Sequence, residues 1–520
     1  MSQFKKEIVN AVATANDTHE IEMLNIRPYV KKENYCFRVF ECNLKNVMDS
    51  LRDKGLIKKK CLLVTSPRAQ KSAAAKLPKD CYFTYVTDTK TDKLDKFVKE
   101  CSTPEYTDTA KEIWEQAQTL VDYIFRRQED PGTGFPEEDQ LWQQVGELES
   151  IVAEKGKEKL DKYYLSECID TDQVETVIAL GGGVAMDAGQ YIATKLGEAL
   201  GKELVFICVP TVLSVNAAFC YKAAMRRLNP ISKSYEVKYD SSLVQPDVLL
   251  MDPDIILTAG ELNVVGSGDL LSCLTASFDW KLNSLVARNY SPNGQDVSKA
   301  FNQEVCDGAL ELIGLLAENI DNLNAMRTYA SILTGEHKNG KTHYEVLQQE
   351  ANGKIAHQAG AGLRFLCMAY HWVAEQSWIM QHTMWESASE HGMFDYMEYL
   401  CGVEFKHGQI IGLCVYFMSL LQENEHERAV SMIKRLKLDI TLNNLAVVAA
   451  NNEKVTPEKL EECLRGVKAY LTGESYRYTI ISAKDMSEKW IEDALAAYYK
   501  DFPCDYDGNP NKGVEKYVVR

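Results

Sequence analysis

Apolar positions along this chain follow two different periods, and the change falls near residue 255. From about residue 34 to 230, short apolar runs alternate with polar, helix-compatible stretches. The runs "KKKCLLVTSP" (58–67), "CYFTYVTD" (81–88), "VETVIAL" (174–180) and "ELVFICVPT" (203–211) read as strands, and their continuous apolar character suits a parallel sheet buried on both faces. Strands alternating with helices predict βαβ units and a Rossmann-like, doubly wound α/β sheet, with ligands at the carboxyl ends of its strands. Beyond 255, long amphipathic runs at 297–327, 355–381, 386–424 and 482–500 predict an all-α C-terminal domain. The expected organisation is an N-terminal extension (1–33), an α/β domain (34–254) and a helical domain (255–520). Residues 104–165 read as an insertion in the α/β domain. Ile113, Ala117, Leu120, Val121, Ile124 and Phe125 recur at helical spacing, "EDPGTGFPEED" (129–139) breaks the pattern, and a second helical run follows Leu141.

Composition narrows the function classes. The 58 basic residues against 75 acidic ones give a net charge of −17, which argues against a nucleic-acid partner, because a phosphate backbone needs a basic surface. The 15 cysteines fall singly, with no C-x-x-C pair, so neither a zinc ribbon nor a thioredoxin-like site is suggested. Their odd count, and a start without a long apolar segment, favour a reducing compartment; the expectation is cytoplasmic. The most apolar later stretch, "IIGLCVYFMSLL" (410–421), is too short to span a bilayer.

Three stretches carry candidate chemistry. In "VIALGGGVAMDAGQYIA" (177–193), Gly181, Gly182 and Gly183 sit between a strand and a helix. Glycines there admit close approach of a ligand, and N–H groups at a helix start attract phosphate, although such a turn can also be only a tight connection. Downstream, "LNVVGSGDLLSCLTASFDWKL" (262–282) places Asp269 at the start of a helical pattern, and "ESASEHGMFDYMEYLCGVEFKHGQIIG" (386–412) carries His391 and His407, each followed by glycine. One carboxylate and two imidazoles form a three-ligand set suited to a catalytic divalent metal. By count alone, His371 or His382 competes for the same role among the 9 histidines.

The order of these pieces resembles the iron-containing and glycerol-type alcohol dehydrogenase superfamily, over about residues 34–103 and 166–425. The stretches "GSGDLLSCLTASFDWKL" and "SASEHGMFDYMEYL" look closest to its sn-glycerol-1-phosphate dehydrogenase branch. The resemblance implies a dehydroquinate synthase-like fold. It implies that Gly181, Gly182 and Gly183 bind the pyrophosphate of NAD or NADP, with Asp187 bracing the turn. The segment "PTVLSVNAAF" would border nicotinamide and substrate through Thr211, Ser214, Asn216 and Phe219, and Asp269, His391 and His407 would hold one divalent ion: zinc, iron or nickel. Homo-oligomerisation and a small-molecule substrate follow from the same resemblance. Departures from the family pattern are Gln190, where many members have lysine, and Asn216, where glycerol-type members have aspartate. The first strand ends in "VTSPR" without the acidic residue that commonly grips the adenosine ribose; Ser66 and Arg68 stand there instead, and Arg68 suits a 2′-phosphate.

The implied activity interconverts a polyol or polyol phosphate and its ketone, with catalysis by Asp269, His391 and His407 through the metal and by Asn216 beside it. Lys222, Arg226, Arg227 and Lys406 are candidate anchors for a substrate phosphate or carboxylate; as single residues they read equally well as solvated surface charges. Two other readings stand beside this one. A sugar-phosphate cyclase resembling 3-dehydroquinate synthase would use the same scaffold, although such enzymes usually present glutamate in place of Asp269. A non-catalytic nucleotide- or metal-binding relative would fit the changes at Gln190 and Asn216.

Overall fold

Parallel pairing dominates the first part of the chain. In the computed structural model the strands are β1 (His19–Glu20), β2 (Arg38–Glu41), β3 (Cys61–Thr65), β4 (Tyr82–Val86), β5 (Tyr164–Ser166), β6 (Thr176–Gly181), β7 (Val205–Pro210), β8 (Ala223–Leu228), β9 (Tyr235–Asp240) and β10 (Val248–Met251). The structure describes residues 3–26, 37–57, 61–66, parts of 69–98, 164–166, 174–219, 222–228, 235–286 apart from 241, 301–334, 340–445 apart from 381 and 404, 455–472 and 478–503. Side chains are described from residue 353 onward within the Gly340–Met380 helix. The insertion expected over 104–165 lies outside the described residues, save for the residues that enter β5.

Eight strands pair in the order β1-β2-β10-β7-β6-β3-β4-β5. The pairings from β2 through β4 are parallel, and only β1 and β5 run antiparallel at the edges. From β3 the chain continues to β4 on one side, whereas from β6 it continues to β7 on the other. The order therefore reverses between β3 and β6, the place where a doubly wound sheet leaves a crevice beyond its strand ends.

Chain contacts divide the molecule into two compact units: Met1–Glu22, Asn34–Val212 and Asn216–Ile256 form the first, and Met23–Glu33, Leu213–Val215 and Leu257–Arg520 the second. In the first unit, alternate strand residues such as Leu63, Ile178, Leu180, Ile207, Val209 and Leu250 share one core face. The Leu44–Asp53 helix covers that face with Leu44, Val47, Met48 and Leu51, spaced three and four residues apart, and Asn43 caps its start by accepting from the Asn46 N–H. The Gln3–Ala13 helix buries Ile8, Val9 and Val12 in the same cluster, so the leading residues are part of this core. On the opposite face Ala179 meets Gly189 of the Gly183–Leu200 helix, where an added Cβ would lie 2.6 Å from the alanine Cβ. Small residues there let the helix lie close on the strand.

The second unit is helical among the described residues. Its Gly260–Leu270, Ser272–Val286, Ser389–Cys401 and His407–Gln422 helices carry the candidate metal ligands and their supports. Residues 408–419 are buried without a break, as expected of a core helix apolar all round. No helix among the described residues is long and apolar enough to cross a membrane. Two expected runs are interrupted. The 386–424 pattern breaks at Gly402, which takes a left-handed conformation (φ 64°) and ends the Ser389–Cys401 helix. The 262–282 pattern breaks after Leu270, so Asp269 lies at the end of one helix rather than the start of the next. At that break the Ser272 hydroxyl lies 2.6 Å from the Asp269 carbonyl oxygen and 2.5 Å from that of Glu386.

Candidate metal centre and dinucleotide turn

In the first unit, Ser66, the glycine turn and Thr211 follow directly on, or end, the neighbouring parallel strands β3, β6 and β7. Gly181 has φ 154°, and a Cβ on it would approach that of Ala185 to 2.8 Å. Gly182 begins the Gly183–Leu200 helix and brings no capping side chain to its first-turn N–H groups. The Thr211 N–H donates to the Gly181 carbonyl at 2.9 Å, tying the turn after β7 to the glycines. Ser66 Oγ accepts from the Ala69 N–H at 3.3 Å. Asn216 opens the short Asn216–Ala218 turn, and its carbonyl accepts from the Phe219 N–H. The Phe219 ring is buried and packs edge-on against Phe37, 6.1 Å between centroids. Ser214 belongs to the second unit, and Arg68 lies outside the described residues.

Asp187 ties its helix to β8. The carboxyl is buried; desolvation pushes its pKa up to about 8, against the opposing pull of the Ala224 N–H that donates to it and of Arg226. A carboxyl with a raised folded-state pKa stabilises the fold below its unfolded value near 3.9 and loses that contribution as pH rises toward 8. Asp187→Asn, which keeps an acceptor for the Ala224 N–H, is therefore expected to raise stability at pH 8 by an amount on the order of a few kcal/mol. The gain should vanish near pH 4, as thermal or denaturant unfolding at both pH values would read. Gln190, in place of the lysine of many family members, is also buried and donates from Nε2 to the Val244 carbonyl at 2.8 Å. Arg227 is ion-paired with Asp240, and Lys222 stands just before β8.

The second unit brings Asp269, His391 and His407 together. Asp269 Oδ1 lies 3.1 Å from His407 Nε2 and 3.5 Å from His391 Nε2, and one donor atom from each residue falls within 4.8 Å of the others. Bonds of about 2.0–2.2 Å at tetrahedral angles put ligand atoms about 3.3 Å apart, so one carboxylate and two imidazoles at these spacings fit a divalent ion.

Backbone contact explains why residues so far apart in sequence converge. Gly268 immediately precedes Asp269, and Gly408 immediately follows His407. A Cβ on Gly268 would sit well inside van der Waals contact distance of the Gly408 carbonyl oxygen, and a Cβ on Gly408 well inside that of the Val265 carbonyl oxygen. The Gly260–Leu270 and His407–Gln422 helices thus meet backbone to backbone at the two glycines, delivering carboxylate and imidazole to one place. Lys406 precedes His407 as the helix N-cap residue.

The electrostatics are those of a ligand cluster. Burial opposes ionisation of Asp269, but His407 and His391 beside it hold the carboxyl well below the usual carboxylate range. Burial would push His391 down; hydrogen bonds to Asp269 and Glu390 carry it up to about 10 instead. A metal entering here must displace that proton. The Phe394 ring stands edge-on to His407 at 4.9 Å and closes one side.

Glu390 is absent from the residues picked out by sequence. It is fully buried and lies 2.9 Å from His391 Nδ1, on the far side of the ring from Asp269. The adjacent "EH" was the only signal for it. His371 and His382, which a bare count admits, lie outside the cluster.

No family model matches the chain. Among curated proteins it is similar to glycerol-1-phosphate dehydrogenase [NAD(P)+] of Aeropyrum pernix, 28% identical over 120 residues, covering 23% of this chain and 30% of that protein. It is also similar to the enzyme of the same name from Methanococcus vannielii, 27% identical over 162 residues, covering 31% and 40%. The matched region thus spans 30% to 40% of those relatives' length. Among solved structures, a probable glycerol dehydrogenase from Sinorhizobium meliloti aligns with TM-score 0.47 and 12% identity over 88% of this chain and 94% of that one. Over the part of its length matched to the curated relatives, the chain is similar in sequence to glycerol-1-phosphate dehydrogenases.

Proposed function

We propose that this chain is a metal-dependent, NAD(P)-linked oxidoreductase that interconverts a polyol or polyol phosphate and its ketone. The observation that carries the reading is the convergence of Asp269, His391 and His407 donor atoms within 4.8 Å of one another, with both carboxylate–imidazole distances near the edge length of a tetrahedral divalent site. The names of the curated relatives support the substrate class.

Each part of the chain has a task in this reaction. The N–H groups that start the Gly183–Leu200 helix take the cofactor pyrophosphate, with Gly181 and Gly182 leaving room for it. Ser66 and Thr211 flank that position, and Arg68 is the candidate for telling NADP from NAD. Asp269, His391 and His407 hold the ion, and Phe394 keeps bulk water from one side of it. When bound, a divalent ion supplies Lewis acidity to the substrate oxygen, and the nicotinamide carries the hydride. Lys222, Arg226 and Lys406 are the candidate anchors for a substrate phosphate, and Asn216 the candidate contact for its hydroxyls.

Gly182→Val tests the cofactor half. A Cβ on Gly182 already lies 3.2 Å from Val212 Cγ1, and a branched side chain would fill the space above the helix start. Nicotinamide dinucleotide affinity, read by fluorescence titration, is expected to fall at least about tenfold, the equivalent of 1.4 kcal/mol, while zinc binding is retained. Unchanged dinucleotide affinity would place the cofactor elsewhere.

A further inference from the structure

We infer that Glu390 is a positioning residue for the metal: it fixes the tautomer and ring orientation of His391 so that Nε2 faces the ion. This rests on the metal reading of Asp269, His391 and His407 given above.

The geometry is specific. His391 offers Nδ1 to Glu390 Oε1 at 2.9 Å and Nε2 to Asp269 Oδ1 at 3.5 Å, so its two nitrogens face opposite partners. With Nδ1–H donating to Glu390, the Nε2 lone pair is left for coordination. Glu390 is itself held from two sides. Its Oε1 also accepts from the Ala388 N–H at 2.6 Å, and its Oε2 lies 2.8 Å from Thr275 Oγ1. Thr275 sits on the Ser272–Val286 helix, its hydroxyl also 3.1 Å from the Ser272 carbonyl oxygen. The Thr275 carbonyl in turn accepts from Gln422 Nε2 at 3.0 Å, a residue at the end of the His407–Gln422 helix. Two helices therefore fix one carboxylate that lies outside the ligand set yet touches a ligand, and a third braces the residue that holds it. Glu390 also lies in the first turn of its helix, where a negative charge is favoured by the helix dipole.

The test is zinc affinity of chelator-stripped protein by competition with a chromophoric chelator, together with the visible spectrum of the cobalt(II)-substituted protein. Glu390→Gln keeps the shape and is expected to weaken zinc binding about 10- to 100-fold, as loss of such an outer partner does, while the cobalt spectrum keeps its tetrahedral intensity. Glu390→Ala frees the ring and should weaken binding further and alter the spectrum. Thr275→Val, which leaves the carboxylate in place, should give a smaller loss in the same direction. A purely structural Glu390 would lower the unfolding temperature but leave the zinc affinity of folded protein unchanged, and that result for Glu390→Gln and Glu390→Ala would overturn the inference. Failure of the unaltered protein to bind zinc or cobalt would instead overturn the metal reading itself.

Discussion

Asp269→Ala is expected to abolish stoichiometric divalent-metal binding and, with it, all nicotinamide-linked turnover. The carboxylate is the only anionic donor in the three-residue cluster, and it faces both imidazoles through the same oxygen. Removing it leaves two imidazoles 5.3 Å apart between ring centroids, with no anionic donor among the candidate ligands to an entering dication. The loss should exceed the 100-fold upper range for residues outside the ligand set. Asp269→Asn separates charge from shape, and a near-equal loss would show that charge dominates. The Asp269 carboxyl is held well below the usual carboxylate range in the metal-free protein. Its contribution to stability is therefore present above its unfolded value near 3.9 and is lost as pH falls through the folded value. Chelator-stripped Asp269→Ala should accordingly be less stable than stripped wild type at pH 7, with the difference shrinking in strong acid. Metal content by elemental analysis and unfolding at the two pH values would check both parts.

Gly268→Ala should act through packing alone and still remove the site. The added methyl would have to displace the Gly408 carbonyl, a backbone atom on a buried helix that cannot swing aside. Overpacking of this kind typically costs 1–3 kcal/mol, and the rigid backbone partner places the expected value near 3 kcal/mol. Gly408→Ala meets the Val265 carbonyl in the same crossing, so the two effects should not add. Either change separates Asp269 from His407 and should lower zinc affinity as well as unfolding temperature. Gly314 supplies the opposite sign. It lies inside the Gln303–Glu318 helix with nothing within 4 Å of an added Cβ, so Gly314→Ala is expected to stabilise by about 0.5–1 kcal/mol. Chemical denaturation of the three variants would separate close approach from ordinary helix propensity.

Much of this architecture is readable from local pattern. The strands β3, β4, β6 and β7 stand out because each is a continuous apolar run bounded by polar residues. The short β2 and β10, "RVFE" and "VLLM", are too brief to show a period, and the β8–β9 hairpin is masked by its charges, "AAMRRL" and "YEVKYD". In the site, Asp269, His391 and His407 are legible from residue type, order and resemblance. Contacts made between distant segments are not. Nothing local to "GSGD" or "KHGQ" says that Gly268 and Gly408 touch, nor that Thr275 reaches Glu390 from 115 residues away. Nor does "PTVLSVNAAF" announce that the Phe219 ring packs edge-on against Phe37.

The decisive measurement is a zinc titration of chelator-stripped protein that records bound metal and reduced-nicotinamide absorbance in the same sample, with dihydroxyacetone phosphate as ketone and NADH or NADPH in turn. Cofactor oxidation should rise with the first equivalent of zinc and saturate at one per chain, and it should be absent in Asp269→Ala. Turnover undiminished in stripped protein, or zinc bound with no cofactor oxidised across polyol-derived ketones and their phosphates, would contradict a metal-dependent dehydrogenase.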